Sequence, residues 1–91
     1  MNFESIFEAG SGGYEWTEIH VYKNANGAFA VDMQTGCSCY GYETPTYDEL
    51  NWFYNVSQIY TEFDRAIGEV NYYFDAAESA EYKSKLRQAV K

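Results

Sequence analysis

The sequence predicts an α+β fold, in which a three-stranded antiparallel sheet packs on a long C-terminal helix and a shorter last helix. Most of the glycines and the short segments of alternating polarity precede Pro45, the only proline, and almost unbroken helix-compatible sequence follows it. An apolar content of 46% excludes a disordered chain, and 91 residues are expected to form a single domain. We therefore expect an N-terminal segment of residues 1–13, a sheet of residues 14–42 and helices over residues 46–90.

Three segments of the first half carry strand patterns. Residues 14–22 are rich in aromatic and β-branched side chains, and residues 27–33 alternate between apolar side chains and small or polar ones. Asn26 and Gly27 lie between these segments and tolerate positive φ best, so they predict a β-hairpin. Residues 37–42 are predicted as the third strand. The N-terminal segment shows only a weak amphipathic turn before a glycine-rich connector.

The second half of the chain predicts the helices. Thr46 and Glu49 have the Thr-x-x-Glu spacing of a capping box, in which the threonine hydroxyl accepts a hydrogen bond from the glutamate amide. Apolar side chains then recur every three or four residues, which places them on one buried face of a helix over residues 47–74. They are Phe53, Val56, Tyr60, Phe63, Ile67, Val70 and Phe74. Asp75 begins a second cap signal, which predicts the start of the last helix.

Acidic side chains dominate the charge of the chain, with 14 of them against 6 basic ones and a net charge of −8. Residues 1–82 contain all 14 acidic residues and only Lys23 and Arg65, a net charge of −12. Electrostatic binding to nucleic acid or to an anionic membrane is therefore disfavoured, and a basic protein surface is the expected partner. No stretch is apolar enough to cross a membrane and no signal peptide is evident, so we expect a cytoplasmic protein.

Cys37 and Cys39 are separated by one residue and leave several interpretations open. Together with His20 they could supply part of a zinc site, but the second ligand cluster of a structural zinc site is missing. They could also form a regulatory thiol pair, although side chains two apart on a strand lie about 7 Å apart, at the limit for a disulfide. The interpretation we favour is two small buried side chains, with no required metal and no cofactor.

His20 is the only histidine, so a Ser/His/Asp or Cys/His arrangement would have to use it. Strand alternation puts it on the same face as Trp16 and Glu18, and the Glu18 carboxylate could form an acid–base pair with it. The sequence places no nucleophile nearby, and no spacing singles out a pair of catalytic carboxylates. We therefore expect a histidine at the strand surface or at an interface, and a protein that is not an enzyme.

Tyrosine is the most distinctive part of the composition, since ten tyrosines exceed what a core of this size can hold. Surface tyrosines either bind a partner, as they often do at interfaces, or merely cover the open sheet face. The acidic residues are concentrated in the strand half and at its junction with the helix. The predicted partner-binding residues are Glu15, Glu18, Asp32, Tyr40, Tyr42, Glu43, Asp48, Glu49 and Tyr54.

Short aromatic, glycine-containing and acidic segments follow one another in the first half of the chain. They are Tyr14-Glu15-Trp16, Asn26-Gly27, Gly36-Cys37-Ser38-Cys39 and Thr46-Tyr47-Asp48-Glu49-Leu50. This order resembles a family of small uncharacterised bacteriophage proteins, whose recurring element is a Gly-Cys-Ser-Cys segment between an aromatic hairpin and an acidic helix start. The resemblance covers roughly residues 14–50 and implies a phage setting, but it implies no activity.

In a phage setting, a small acidic protein without catalytic motifs is similar in type to the anti-CRISPR and antirestriction inhibitors. A nuclease complex exposes Lys and Arg to hold phosphates, and an acidic surface can occupy them. We therefore predict a phage-encoded inhibitor that binds a basic host protein or ribonucleoprotein complex, with an anti-CRISPR protein as the leading case. The alternative is a small structural or accessory phage protein that forms a homodimer through aromatic residues. Such a protein could inhibit its partner either by mimicking nucleic acid or by blocking the partner sterically with tyrosine side chains. The charge pattern favours acidic contact combined with aromatic anchors.

Overall fold

The computed structural model describes residues 2–12, 14–70 and 73–90. Its strands are β1 (Phe3–Ser11), β2 (Glu15–Asn24) and β3 (Phe29–Cys37). Its helices are α1 (Val56–Glu69), α2 (Ala76–Ala89) and, between β3 and α1, the short 3-10 helix Tyr47–Glu49. The strands form an antiparallel sheet in the order β1-β2-β3, so the predicted α+β class with a three-stranded sheet is confirmed. None of the helices in the described ranges has the length and apolarity needed to cross a membrane.

The N-terminal segment forms a full strand, which the sequence did not predict. β1 pairs with β2 over most of its length, but the register shifts between Ser5 and Phe7. Such a bulge puts two consecutive residues toward the same side of the sheet, and Ile6 and Phe7 both pack on the core. The bulge interrupts the two-residue period, which explains why the strand pattern was not evident. The predicted strand over residues 37–42 is wrong, because β3 ends at Cys37 and a turn follows.

The β-hairpin predicted at Asn26 and Gly27 is confirmed, and it joins β2 to β3. Gly27 has a φ of 85°, in the left-handed region that glycine adopts without strain. The Asn24 side chain closes the turn, because its Oδ1 accepts hydrogen bonds from the amides of Asn26 at 3.0 Å and Ala28 at 2.9 Å. This chemistry is local to the turn, so the sequence alone was enough to predict it.

The prediction of one helix over residues 47–74 is wrong, since α1 and α2 have the same length of 14 residues and α1 starts later. The capping box predicted at Thr46 and Glu49 is present, but it begins only the short 3-10 helix. The Glu49 Oε1 accepts from both the amide and the hydroxyl of Thr46, each at 2.9 Å. Farther on, the backbones of Phe53 and Phe29 exchange two hydrogen bonds of 2.8 Å. This bridge holds the chain extended at the edge of β3, so a helix cannot run through it.

Both α-helices begin at side-chain caps. The Asn55 Oδ1 accepts from the Ser57 amide at 2.8 Å at the start of α1. At the start of α2, the Asp75 Oδ1 accepts from the Glu78 amide at 2.8 Å, and the Glu78 carboxylate accepts from the Asp75 amide at 3.2 Å. The predicted start of the last helix near Asp75 is therefore confirmed.

The main core lies between the sheet and the two α-helices. Ile19 and Val21 of β2 are fully buried there against Phe63 of α1 and Leu86 of α2. Within the predicted stripe, the side chains toward the C-terminal end are buried and the first three are half-buried. The buried ones are Phe63, Ile67, Val70 and Phe74, and the half-buried ones are Phe53, Val56 and Tyr60.

We expect Phe63→Ala to lower the free energy of unfolding by about 3 to 5 kcal/mol, because it empties a large volume at a fully buried position. Urea melts followed by circular dichroism measure this change. Tyr54→Ala is the control, since Tyr54 is 70% exposed and its truncation should change stability by no more than about 0.5 kcal/mol. Equal losses for the two variants would show that this core assignment is wrong.

Candidate interaction surface

The face of the sheet that points away from α1 and α2 carries polar and aromatic side chains, and we call it the polar face. Alternation along β2 places Trp16, His20 and Tyr22 there. Each is more than nine-tenths buried, although no α-helix of the described ranges covers this side. Their cover is residues 38–55, the chain between β3 and α1, which we call the covering segment.

At one end of the polar face, Tyr40 of the covering segment packs edge-on against Trp16, with ring centroids 6.1 Å apart. The Trp16 indole N–H donates to the carbonyls of Cys37 at 2.9 Å and Tyr40 at 2.8 Å. Gly36 makes this approach possible, because a Cβ there would lie 2.6 to 2.8 Å from atoms of both rings. The Tyr40 side chain is still 59% exposed.

In the middle of the polar face, the Tyr42 ring stacks on His20 with a centroid separation of 3.8 Å. Both nitrogens of the imidazole face carboxylates, Nε2 at 2.8 Å from Glu18 and Nδ1 at 3.5 Å from Glu8. Of the two alternatives for His20, the histidine at the strand surface is wrong, because Tyr42 covers the ring and leaves His20 8% exposed.

The Tyr42 hydroxyl connects two strands of the sheet. It donates to the Asp32 Oδ2 at 2.7 Å and lies 2.7 Å from the Tyr22 hydroxyl, which must therefore be the donor between the two tyrosines. Gln34 also donates to Asp32, at 2.9 Å. Burial raises the pKa of Tyr22 and of Tyr42, and for Tyr42 the hydrogen bond that it donates to the Asp32 carboxylate raises the pKa further.

Aromatic rings fix the far end of the covering segment. Tyr47 stacks on Trp52 with centroids 4.9 Å apart, and Phe3 of β1 contacts Tyr22 and Trp52 edge-on. The Trp52 indole donates to the Tyr47 carbonyl, and Asn24 donates to the Tyr47 hydroxyl, both at 3.1 Å. These contacts anchor the 3-10 helix to the polar face.

Carboxylates surround the middle of the covering segment. The Gln34 side chain pairs with the backbone of Glu43, donating to its carbonyl at 2.7 Å and accepting from its amide at 3.2 Å, which leaves the Glu43 side chain exposed. Asp32, Glu43 and Glu49 line one open depression beside Pro45. Asp48 is exposed on the same 3-10 helix as Glu49.

The structure brings most of the predicted partner-binding residues to this side of the molecule. They are Glu18, Asp32, Tyr40, Tyr42, Glu43, Asp48 and Glu49. Glu15 differs, because alternation from Trp16 puts it on the opposite face, and Tyr54 follows the bridge at Phe53, outside these contacts. Glu8 was missed because β1 was not predicted as a strand.

Among the predicted partner-binding residues, Asp32 and Tyr42 make contacts within the protein. Asp32 accepts hydrogen bonds from two side chains, and Tyr42 is held by its stacked ring and its hydroxyl. They position the covering segment, whereas Tyr40 and Glu43 remain exposed for contact.

The basic side chains of the described residues lie elsewhere. In the described part of the chain, every salt bridge of a lysine or arginine joins residues of α1 and α2: Arg65 to Glu62, Lys83 to Asp64 and Lys85 to Glu81. Lys23 lies over the ring of Phe29 at 5.7 Å. None of these salt bridges reaches a carboxylate of the polar face or the covering segment, so the acidic surplus is concentrated there.

Cys37 and Cys39 form a disulfide bond, so the expectation of two small buried side chains is wrong. β3 ends at Cys37 and the chain turns, which brings the two Cα atoms to 5.4 Å rather than the strand spacing. Cys37 is half-buried and Cys39 is exposed. Among the residues that the structure describes, no three His, Cys, Asp or Glu side chains converge to hold a metal ion.

Comparison with protein-family models, curated proteins and solved structures found no match to this chain. The resemblance to bacteriophage proteins stays a prediction, and no residue role is transferred from another protein. Any function of the polar face and the covering segment is therefore inferred from their own contacts and charges.

We expect stability to fall in alkaline solution. Because folding raises the pKa of Tyr22 and Tyr42, the protonated hydroxyls stabilise the fold fully below about pH 10, and that contribution is lost as pH rises further. Tyr42→Phe should cost about 1 to 3 kcal/mol at neutral pH, since Asp32 and Tyr22 lose a partner, and it should make the alkaline loss smaller. Urea melts from pH 7 to pH 11 measure both effects.

The matched control is Tyr54→Phe, which removes an exposed hydroxyl. It should leave the alkaline slope unchanged. A wild-type free energy of unfolding that stays constant over the alkaline range would contradict the role assigned to Tyr42.

Proposed function

We propose that this protein is a phage-encoded inhibitor that binds a basic surface of a host nucleic-acid-binding defence protein, with an anti-CRISPR protein as the leading case. It acts in the cytoplasm of the host cell by contact alone, without catalysis or a cofactor. The observation that carries the proposal is the separation of charge between the polar face with its covering segment and the helical side of the molecule.

The separation of charge favours binding to a cationic partner. In the described ranges Arg65, Lys83 and Lys85 of the α-helices are paired with helix carboxylates, and Arg87 lies over the Tyr60 ring. Glu43, Asp48 and Glu49 lie exposed on the covering segment without such a pair. Clustered carboxylates repel one another, and a basic partner would relieve this repulsion. A nuclease complex presents such a surface, because it must hold phosphates.

Electrostatic mimicry of nucleic acid does not suffice by itself. Duplex DNA carries one charge per about 1.7 Å of its axis. On the covering segment, Thr44 and Pro45 interrupt the acidic residues, so no continuous row of charge forms. Tyr40 adds an exposed ring supported by Trp16, which suits an aromatic anchor at the edge of the acidic surface.

A homodimer through the exposed aromatic residues is the alternative function. Pairing through Tyr40 would bring two acidic surfaces together, which is unfavourable for like charges. The charge distribution therefore favours a basic partner over a second copy of the chain. A chain that sediments as a dimer and captures no host protein would support the alternative.

Affinity capture from a phage host tests the proposal with three baits: the wild type, Glu43→Lys and Glu69→Lys. Both variants change the net charge equally, but Glu69 lies on α1 rather than on the covering segment. We expect the wild type and Glu69→Lys to retain a Lys/Arg-rich nucleic-acid-binding protein, identified by mass spectrometry, and Glu43→Lys to retain at least ten-fold less. Affinity should fall steeply toward 1 M salt, where the screening length is about 3 Å.

Three outcomes would each reject the proposal: no basic protein retained by any bait, equal loss with both variants, or an affinity that does not change with salt. The last outcome rejects the electrostatic contact specifically.

The aromatic anchor has a separate test. Tyr40→Ala should raise the dissociation constant for the captured partner by an amount that corresponds to about 2 kcal/mol or more, mainly through faster dissociation. Tyr54→Ala, at another exposed tyrosine, should have little effect. Surface plasmon resonance measures both rates. Equal effects of the two substitutions would show that Tyr40 is not an anchor.

A further inference from the structure

The Cys37–Cys39 disulfide closes a very short loop, since only Ser38 lies between the bonded residues. Disulfides restrict the unfolded chain most when they close long loops, so this bond contributes little as a staple of the fold. The core does not depend on it either, because the bond lies at the last residue of β3 and neither cysteine belongs to the core. A role other than global stabilisation is therefore indicated.

Reagents in solution can reach the bond. Ser38 and Cys39 are exposed, and Cys37 is half-buried. Thiol–disulfide exchange requires a thiolate to approach one sulfur along the bond, and Cys39 offers that access. Exposed disulfides are more easily reduced than buried structural ones.

The bonded turn is also connected to the candidate interaction surface. The Cys37 carbonyl accepts hydrogen bonds from the Trp16 indole at 2.9 Å and from the Tyr40 amide at 3.3 Å. Tyr40 directly follows Cys39 and packs on Trp16. The disulfide therefore restrains the three residues that place the Tyr40 ring against Trp16.

We propose that Cys37 and Cys39 form a thiol–disulfide exchange site whose redox state sets the position of Tyr40 on Trp16. The oxidised form holds Tyr40 against the indole, and the reduced form releases the turn and uncovers Trp16. The co-reactant is a dithiol of the thioredoxin class or a small thiol. The inference does not depend on the partner proposed above, since it concerns the isolated protein.

The exchange balances as a two-electron reduction. A thiolate of the dithiol attacks the Cys39 sulfur, the Cys37–Cys39 bond breaks, and the Cys37 sulfur leaves as a thiolate that takes up a proton. The second thiol of the reductant then attacks the mixed disulfide, and Cys39 leaves and is protonated. The protein gains two electrons and two protons, and the dithiol becomes a disulfide.

The test follows thiol state and Trp16 environment in the same samples. Trp52→Phe removes the other indole, so the remaining tryptophan emission reports on Trp16. Native protein is equilibrated with ratios of reduced to oxidised dithiothreitol, quenched in acid, alkylated with a maleimide and weighed by intact mass spectrometry. We expect conversion from no adduct to two adducts per chain, and a parallel red shift of the emission as Trp16 becomes exposed.

Two variants distinguish thiol–disulfide exchange at the cysteines from its effect on the position of Tyr40. Cys37→Ser with Cys39→Ser should show no dependence on the dithiothreitol ratio. Tyr40→Ala should keep the conversion of the cysteines but lose most of the shift in emission wavelength. The wild-type chain without the Trp52 change is weighed in parallel, so the thiol result does not rest on any substitution.

Three results would overturn the inference. Two adducts on the wild type without reductant would show that no disulfide forms. Reduction that requires denaturant would show that the bond is not accessible in the folded protein. Complete reduction without a change in the Trp16 emission wavelength would show that the site does not control Tyr40.

Discussion

The central strand β2 is covered on both faces, and most of the structure follows from how it meets two different environments. One face carries Ile19 and Val21, which the helices cover with apolar side chains. The other carries His20 and Tyr22, whose polar atoms need hydrogen-bond partners once water is removed. Tyr42 of the covering segment supplies the partner of Tyr22, whereas Glu18 and Glu8 face the two nitrogens of His20. No buried side-chain nitrogen or oxygen in the described ranges is left without a partner. The covering segment is irregular, and side-chain contacts hold it in place where a helix or strand would have regular backbone hydrogen bonds.

Charge is distributed differently over the two sides of the sheet. A helix surface accommodates acidic and basic residues as local pairs, as Arg65 of α1 and Lys85 of α2 show. Lys83 of α2 pairs with Asp64 of α1. The covering segment lacks this regular spacing and carries acidic side chains such as Glu43 and Asp48 at its exposed positions. The division of charge therefore coincides with the division of the cover, with helices on one sheet face and irregular chain on the other.

The sequence was informative where structure depends on neighbouring residues, and less so where it depends on distant ones. Gly27 and the Asp75 cap were predicted, because turn and cap chemistry act within a few residues. The helical spacing that includes Phe53 was misleading, since its backbone pairs with Phe29 of β3. The acidic residues of the surface were largely identified from charge density. The internal role of Tyr42 was not predicted, because it depends on the stacking of its ring on His20, which is distant in the sequence.

The central claim is that the covering segment is docked on the polar face in solution. Nuclear Overhauser effects between the ring protons of Tyr42 and His20 test it most directly, because the ring centroids lie 3.8 Å apart. The account predicts strong cross-peaks between these rings, together with cross-peaks that join Tyr47 to Trp52. Absence of the Tyr42–His20 cross-peaks, with random-coil chemical shifts over residues 40–49, would contradict it.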